Sequence, residues 1–288
     1  MKYTYYPGCS LHGLALDYQM SVDAACKALA VELTEVDNWN CCGATATITE
    51  NQKMAITLGA LNLAKCPQGE ENLVVSCNAC YLRLTQVGEK FKKYPEIKDD
   101  VKGILREAGL NDSIEQIKVK HLLQILIEDI GLEAIEARVA KPLKDLRVVP
   151  YYGCQIVRPV GFDDPEQPTS LDNLLAALGA DVVPFYRKTR CCGNAMINAD
   201  EALALKMISE ILDEAVTKGA EAIAVTCPIC QLNLDAFQNR VNKKYGTNYN
   251  IPILYFTQLM GIAFGLEPLQ LGLDKSIVSS KEIEKRYV

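Results

Sequence analysis

The stretch "LVVSCNACYLRL" (residues 73–84) places a CxxC pair directly after a run of apolar, strand-forming residues. The same arrangement returns as "IAVTCPICQLNL" (residues 223–234). A short β-rich run that passes through two cysteines into apolar residues at helical spacing is typical of a strand-to-helix turn. Each stretch therefore predicts a buried strand whose carboxyl end delivers two thiols to the start of a helix.

The flanking cysteines repeat in the same order, a single cysteine, then an adjacent CC pair, then the CxxC pair. In both halves 34 residues separate CC from CxxC, whereas the gap before CC is 31 residues in the first half and 36 in the second. Unequal gaps are typical of loops, which tolerate insertions. The matched cysteines are Cys9, Cys41, Cys42, Cys77 and Cys80 in the first half, and Cys154, Cys191, Cys192, Cys227 and Cys230 in the second. A repeat of 145 residues is too long for a solenoid and predicts two pseudo-symmetric domains, residues 1–143 and 144–288.

Strand-like and helix-like runs alternate within each half. "RVVPYYGC" (147–154) is apolar and β-rich, while "DEALALKMISEILDEAVTKG" (200–219) has helical apolar spacing, an acidic first turn and a closing glycine. This alternation predicts an α/β fold in which each domain is a small parallel sheet with flanking helices. The cysteines would then gather at the carboxyl edge of each sheet, where α/β folds place their sites. Residues 95–116 have no counterpart in the second half and predict an inserted surface helix.

Composition limits the classes of partner and compartment. The 288 residues include 30 Lys+Arg and 36 Asp+Glu, a net charge of −6, without the run of like charges that binds nucleic acid. The amino terminus lacks the pattern of a secretory signal, which predicts a cytoplasmic protein. Residues 248–266 are uncharged but contain Pro252 and polar residues, and fall short of a membrane span of about 20 apolar residues. They predict a buried strand and helix, so membrane association would be peripheral at most.

Twelve cysteines in a chain without other marks of secretion favour metal binding or redox chemistry over structural disulfides. Zinc takes four ligands, and so does an ordinary cubane iron–sulfur cluster, which leaves a fifth thiol in each half. The fifth thiol is either a redox-active group beside the cluster or a ligand to a rearranged cluster in which adjacent cysteines hold different irons. Gly43 and Gly193, one after each CC pair, would let the backbone approach such a cluster closely. Zinc in one half is the alternative.

The order Cys, CC-G, CxxC, present twice across nearly the whole chain, resembles the cysteine-rich CCG-domain subunit of heterodisulfide reductase and its relatives. This resemblance implies a catalytic disulfide oxidoreductase in which two non-cubane 4Fe-4S clusters, each held by five cysteines, split a small-molecule disulfide between them. The ligands of one cluster would be Cys9, Cys41, Cys42, Cys77 and Cys80, and those of the other Cys154, Cys191, Cys192, Cys227 and Cys230. The chain has no GxGxxG turn and no Walker loop. Electrons would therefore come from partners, in the family a ferredoxin-type iron–sulfur subunit fed by a flavoprotein subunit.

Charged side chains near the cysteines are candidate substrate contacts. His12 follows the first single cysteine by three residues, and Arg158 follows the second by four. Arg187 and Arg190 precede the second CC pair, with Lys188 between them, where positive charge would hold an anionic substrate. The plainer interpretation of each is a loop residue that bonds to the backbone or faces solvent.

Three further residues have structural interpretations. Cys26 and Cys66 fall outside the repeat and align with apolar residues of the second half, which predicts core cysteines. His121 aligns with Tyr255 and is predicted to be structural.

A second class of function stays open. Similar CCG domains occur in quinone-linked dehydrogenases that oxidise succinate or glycolate, where the chain would be an electron-transfer or anchoring subunit. An apolar or amphipathic carboxyl-terminal helix would favour that function, whereas "LDKSIVSSKEIEKRYV" (273–288) is polar and charged. A zinc-stabilised scaffold is a third interpretation, which metal content alone would separate from the others.

Overall fold

The computed structural model describes residues 1–44, 46–69 and 71–288 and contains two four-stranded parallel sheets, one in each half. The first sheet consists of β1 (Lys2–Tyr6), β2 (Glu32–Glu35), β3 (Asn72–Val75) and β4 (Lys118–His121), in the order β2-β1-β3-β4. The second consists of β5 (Arg147–Tyr151), β6 (Asp181–Val182), β7 (Ala222–Val225) and β8 (Ile253–Tyr255), in the order β6-β5-β7-β8. The two orders are the same, so the predicted α/β fold with duplicated parallel sheets is confirmed.

Helices connect the strands in both halves. Those before β5 are α1 (Leu16–Ala28), α2 (Ala46–Glu50), α3 (Gln52–Ala64), α4 (Asn78–Lys93), α5 (Pro95–Glu107), α6 (Leu122–Ile125) and α7 (Leu132–Glu136). Those after β5 are α8 (Ser170–Ala177), α9 (Glu201–Thr217), α10 (Pro228–Ala236), α11 (Gln238–Tyr245), α12 (Phe256–Ala263) and α13 (Lys281–Tyr287). Short 3-10 turns cover 114–116, 194–196, 268–271 and 273–275, and a π-helical turn covers Leu126–Ile130.

Three sequence predictions about helices are confirmed. The helix predicted over 200–219 is α9, which begins after Asp200, whose carboxylate accepts the Leu203 N–H, and ends before Gly219. The inserted surface helix is α5, which buries only two residues against the protein. The uncharged stretch 248–266 holds β8 and the wholly buried α12.

Strand register fixes which residues of the two halves are equivalent. In the first sheet Val75 lies opposite His121, and in the second Val225 lies opposite Tyr255. The predicted alignment of His121 with Tyr255 is therefore confirmed. By the same register Tyr6 at the end of β1 corresponds to Tyr151 at the end of β5.

Contacts between the halves centre on Tyr18 of α1. Its ring stacks on Tyr255, with centroids 4.0 Å apart and planes at 1°. Its hydroxyl donates to the carbonyl oxygens of Ser76 at 3.0 Å and Thr226 at 3.4 Å, one in each half. Through such contacts, with α1 packed against α12 and α6 against α8, the two halves share one continuous hydrophobic core. The boundary between residues 143 and 144 stays a prediction.

We expect the Tyr18 ring to contribute more to stability than its hydroxyl. Tyr18→Phe keeps the stack and should lower the free energy of unfolding by about 1 kcal/mol, the net value of a buried hydrogen bond. Tyr18→Ala also removes the ring and should cost about 3–5 kcal/mol. Urea unfolding followed by circular dichroism measures both changes. Equal losses for the two variants would show that the stack does not hold the halves together.

Candidate functional site

Each CxxC pair lies at a strand-to-helix turn, as predicted. Cys77 and Cys227 have extended backbone and are the N-cap residues of α4 and α10, so Cys80 and Cys230 fall in the first helical turn. The helix start supplies unpaired N–H groups and a positive dipole end, both of which favour thiolate. The amides of Cys230 and Ile229, together with the thiols of Cys230 and Cys77, hold the pKa of Cys227 well below its usual range although burial opposes this.

A glycine precedes each single cysteine because the CxxC thiol lies against it. Gly8 and Gly153 have left-handed backbone, with φ of 76° and 71°. A Cβ on Gly8 would lie 2.9 Å from the Cys80 Sγ, and one on Gly153 would lie 3.0 Å from the Cys230 Sγ. Both the backbone angle and the space therefore require glycine here.

A tyrosine fixes the backbone before each CC pair. The Tyr6 hydroxyl donates to the carbonyl of Asn40 at 2.8 Å, and its equivalent Tyr151 donates to the carbonyl of Arg190 at 2.6 Å. Burial raises the pKa of both tyrosines, so both hydroxyls stay protonated donors. No sequence pattern described above predicts that these rings anchor the CC loops.

Glycines after the CC pairs turn backbone amides toward the thiols. Gly43 and Gly193 have φ of 72° and 80°, and the Gly193 N–H donates to the Cys191 Sγ at 3.4 Å. The pKa of Cys191 falls to about 2 because Cys154, Cys192 and this amide stabilise its thiolate.

In the first half the thiol with the lowered pKa is Cys42, the other member of the CC pair. The pKa of Cys42 falls to about 3 because Cys41 and Cys80 donate to it, with further help from the Ala44 amide and the positive charge of Arg83. Arg83, one turn beyond Cys80, was not a sequence candidate. Its position on the cysteine-facing side of α4 is the signal that would have identified it.

The ten predicted cysteines form one continuous group. In the first half Cys9 Sγ lies 3.8 Å from Cys41 Sγ. Contacts between thiols then link Cys41 to Cys42, Cys42 to Cys80 and Cys80 to Cys77 in the first half, and Cys154 to Cys191, Cys191 to Cys192, Cys192 to Cys230 and Cys230 to Cys227 in the second. The two sets meet where Cys77 contacts Cys227.

The second-half thiols surround a small cavity. Its volume is about 80 Å³, and its lining includes all five cysteines of that half and Asn78 of the first half. Asn78 donates to the Tyr152 carbonyl at 2.6 Å and accepts from the Thr226 hydroxyl at 3.2 Å. A residue of one half thus closes the site of the other, which no pattern within a single half predicts.

Three of the four predicted substrate residues come together. Arg158, Arg187 and Arg190 line a cavity of about 380 Å³ that also reaches Cys154 and Cys191. Arg158 is paired with Glu166 and Arg187 with Glu210, at 2.7 Å and 2.8 Å. The exposed Arg190 side chain forms no hydrogen bond or ion pair within the ranges that the structure describes, so its charge is available to a ligand.

Two other basic candidates lie elsewhere. His12 belongs to the first half, where its ring contacts Trp39 edge-on and its Nε2 lies 3.3 Å from a Glu35 carboxylate oxygen. Lys188 is buried and donates to Asp172 at 2.9 Å and to the Pro168 carbonyl at 2.7 Å. Lys188 therefore stabilises the loop before the second CC pair through these bonds, and it is not part of the lining of the arginine-lined cavity.

The cysteines outside the repeat are buried, in agreement with their predicted core role. Burial raises the pKa of Cys26 on α1 to about 12, which keeps that thiol neutral. Cys66 lies just after α3, with its Sγ 3.8 Å from the Asn62 carbonyl oxygen. The residue of the second half that aligns with Cys66, Val216, is exposed. The prediction that Cys66 is buried is therefore confirmed, although the equivalent position of the second half is not buried.

The two thiol sets differ in accessibility. Cys9 and Cys41 are exposed, whereas their equivalents Cys154 and Cys191 are only partly accessible. Leu14, five residues after Cys9, is 86% exposed. The first-half set therefore opens directly to the surface, while the second-half set lies behind the arginine-lined cavity.

The donor set fits an iron–sulfur cluster by its chemistry. Each half offers five soft thiols, amide donors toward sulfur, and glycines that keep side chains away from it. Among the described residues, no three or more His, Cys, Asp or Glu side chains are arranged to hold a single metal ion. Five thiols in each half exceed the four ligands that one zinc ion takes, whereas a cluster spreads its thiolate ligands over several irons. Zinc in one half stays an alternative prediction.

Comparison with known sequences identifies related proteins. A family profile described as a cysteine-rich domain, CCG, matches residues 3–85 and 148–235. The chain is 30% identical over 285 residues to the 8-methylmenaquinol:fumarate reductase membrane anchor subunit of Wolinella succinogenes, covering 98% of this chain and 99% of that protein. It is 29% identical over 289 residues to one of the subunits of the ferredoxin:CoB-CoM heterodisulfide reductase of Methanosarcina mazei, covering 98% and 95%. A protein of Archaeoglobus profundus named for its likeness to that type of reductase subunit is also 29% identical, covering 93% and 92%.

Among solved structures, a hypothetical protein from Helicobacter pylori shares the fold. The TM-score is 0.74 at 16% sequence identity, and the match covers 96% of this chain. The chain spans about half, 52%, of that protein's length. Within the part of the chain that the structure describes, no helix has the length and apolar character to cross a membrane.

Proposed function

Because the chain belongs to the cysteine-rich CCG-domain family, we propose that it is the catalytic subunit of a heterodisulfide reductase-like complex, which reduces a small-molecule disulfide to two thiols. Its relatives include subunits of redox complexes. The observation that carries the proposal is the contact between the two five-thiol sets at Cys77 and Cys227. Reduction of a disulfide separates two sulfur atoms and consumes two electrons, which suits two adjoining redox centres.

Each thiol set would hold one 4Fe-4S cluster. The first set is Cys9, Cys41, Cys42, Cys77 and Cys80, and the second is Cys154, Cys191, Cys192, Cys227 and Cys230. When bound, the two clusters would supply the electrons that reduction of the disulfide consumes. The protein's own groups would stabilise the negative charge on sulfur. These groups are the helix starts at Cys77 and Cys227 and the Gly193 N–H, which donates to the Cys191 Sγ.

The arginine-lined cavity would bind the substrate. It adjoins Cys154 and Cys191, and Arg190 offers its charge there without an internal partner. A guanidinium binds carboxylate, sulfonate or phosphate through paired hydrogen bonds. We therefore infer that the substrate carries an anionic group on at least one arm.

Electrons would arrive at the first-half set. Cys9 and Cys41 are exposed there, so a partner's redox centre can approach them closely. The partner we propose is a ferredoxin-type iron–sulfur subunit, supplied in turn by a flavoprotein subunit. The exposed Leu14 and Leu16 near Cys9 would lie within this contact.

A second function rests on the similarity to the fumarate reductase anchor subunit. In that case the chain would be an electron-transfer or anchoring subunit of a quinone-linked dehydrogenase. The carboxyl-terminal α13 buries Ile283 and Tyr287 against the protein, so these residues are not presented to a membrane.

Stopped-flow reoxidation of the reduced protein separates the two functions. Oxidation by a disulfide supports the first, and oxidation by 2,3-dimethyl-1,4-naphthoquinone alone supports the second.

Cys192→Ser tests the pairing of the sets. We expect it to retain about half of the wild-type iron, because the first set is untouched, and to lose disulfide reduction, because both centres are needed. The measurements are iron and acid-labile sulfide on anaerobically purified protein, and viologen-linked reduction of 3,3′-dithiodipropionate. The control Cys26→Ala removes a buried thiol outside both sets and should keep iron and activity. Loss of all iron from folded Cys192→Ser would contradict two separate sets.

Arg190→Gln tests the anion site. It should raise the KM for 3,3′-dithiodipropionate by about 10-fold or more, the value of one charge-assisted hydrogen bond, and leave iron content unchanged. The KM for the cationic disulfide cystamine should not rise in this variant. The control is Arg240→Gln, which removes an exposed arginine of α11 that pairs with Glu201 of α9. It should behave as wild type. An unchanged KM in Arg190→Gln would exclude Arg190 from the substrate site.

A further inference from the structure

A second large cavity lies in the first half, between α4 and the segment that leads into β4. Its volume is about 380 Å³, within the range of roughly 300–1,000 Å³ that is typical of small-molecule sites. Part of its wall comes from residues 95–116, the insertion that has no counterpart in the second half. We call it the insertion cavity. The described residues that line it include none of the ten cysteines of the two thiol sets.

The walls of the insertion cavity are mainly apolar. One wall is a face of α4, whose apolar residues recur at helical spacing, and the facing wall is the chain before and within β4. The apolar residues of the two walls are Leu84, Val87, Phe91, Ile114, Ile117 and Val119. Such walls offer water few hydrogen bonds, so they favour an aliphatic group over water.

Gly88 lies in the interior of α4, on the wall of the insertion cavity. A Cβ at this position would have no described heavy atom within 4 Å. The φ of Gly88 lies outside the left-handed region, so the backbone does not require glycine. Glycine within a helix also lowers helix stability relative to alanine. The absent side chain therefore leaves open a space that a larger residue would fill.

Two polar groups of the insertion cavity lack partners within the described ranges of the chain. Thr85, one turn before Gly88, has a buried hydroxyl oxygen that forms no hydrogen bond. Lys118, the first residue of β4, is exposed and forms no ion pair or side-chain hydrogen bond there. A buried hydroxyl without a partner is unfavourable, and a ligand atom that accepts from it would remove that cost.

The charges around the insertion cavity leave one positive charge unpaired. Its lining contains three lysines and two glutamates. Lys92 is paired with Glu89 at 2.9 Å, and Lys98 with Glu115 at 3.0 Å. The charge of Lys118 remains, so the lining complements a ligand with a single negative charge.

We propose that the insertion cavity binds a medium-chain aliphatic monocarboxylate. Its hydrocarbon chain would lie between the two apolar walls, in the space beside Gly88, and its carboxylate would pair with Lys118. The Thr85 hydroxyl would donate to the carboxylate, which is the one hydrogen-bonding group of such a ligand. The site involves none of the thiols and does not depend on the proposed function.

The first test fills the space beside Gly88. Sodium octanoate, titrated calorimetrically into the full chain, should bind at a single saturable site. Gly88→Leu should raise the Kd by about 10-fold or more, because the new side chain occupies the space that the ligand needs. The control is Gly103→Leu in α5, a helical glycine that also has free space around its Cβ but does not line the cavity. It should bind octanoate as wild type does.

Three outcomes of the first test would overturn the proposal. They are the absence of saturable octanoate binding to wild type, an unchanged Kd in Gly88→Leu, and an equal loss of binding in Gly103→Leu. Both leucine variants remove glycine from a helix, so both should fold, and circular dichroism verifies this.

The second test addresses the carboxylate. Lys118→Gln should raise the Kd for octanoate by roughly 2- to 5-fold, the range of an exposed ion pair. Thr85→Val has nearly the same shape without the hydroxyl, and it should also weaken octanoate binding, by about 5-fold. Lys2→Gln, which removes an exposed lysine of β1, is the control and should change nothing. The uncharged 1-octanol should bind wild type more weakly than octanoate. Octanol binding as tight as that of octanoate, or an unchanged Kd for octanoate in both Lys118→Gln and Thr85→Val, would contradict a carboxylate site.

Discussion

The contact between Cys77 and Cys227 is the constraint on which the rest of the structure depends. Each thiol lies where a central strand of its sheet passes into a helix, so their contact brings the carboxyl edges of both sheets together. Tyr18 maintains that arrangement because its hydroxyl bonds to the residue before each of the two cysteines. Two sites that would otherwise be separate become one continuous group of ten thiols.

The duplication supplies equal ligand sets, and the surroundings make them unequal. Tyr6 and Tyr151 anchor the two CC loops in the same way, and Gly8 and Gly153 make the same room for sulfur. By contrast, the arginine-lined cavity belongs to the second half, and the exposed outer cysteines, Cys9 and Cys41, belong to the first. A duplicated redox site with one open end and one charged, enclosed end favours electron flow in one direction. The proposed roles of the two sets follow from that difference.

Local patterns in the sequence predicted what depends on local structure. The CxxC turns, the helix at 200–219 and the buried stretch 248–266 follow from spacing within one repeat, and the equivalence of His121 with Tyr255 follows from alignment of the two repeats. The sequence did not predict the role of Asn78, which closes the second-half site from the first half, because that contact depends on how the halves dock. The four charged candidates were chosen by nearness in sequence to cysteines. That criterion found the three arginines of one cavity but also included His12, which belongs to the other half and contacts Trp39 there.

The central claim is that each half holds its own iron–sulfur cluster. Analysis of iron, zinc and acid-labile sulfide per chain, on protein purified without oxygen, tests it most directly. Two four-iron clusters predict about eight irons with an equal amount of sulfide and no zinc. About four irons with one zinc would contradict the account, because redox chemistry would then be confined to one half and the pairing at Cys77 and Cys227 would have no function in disulfide reduction.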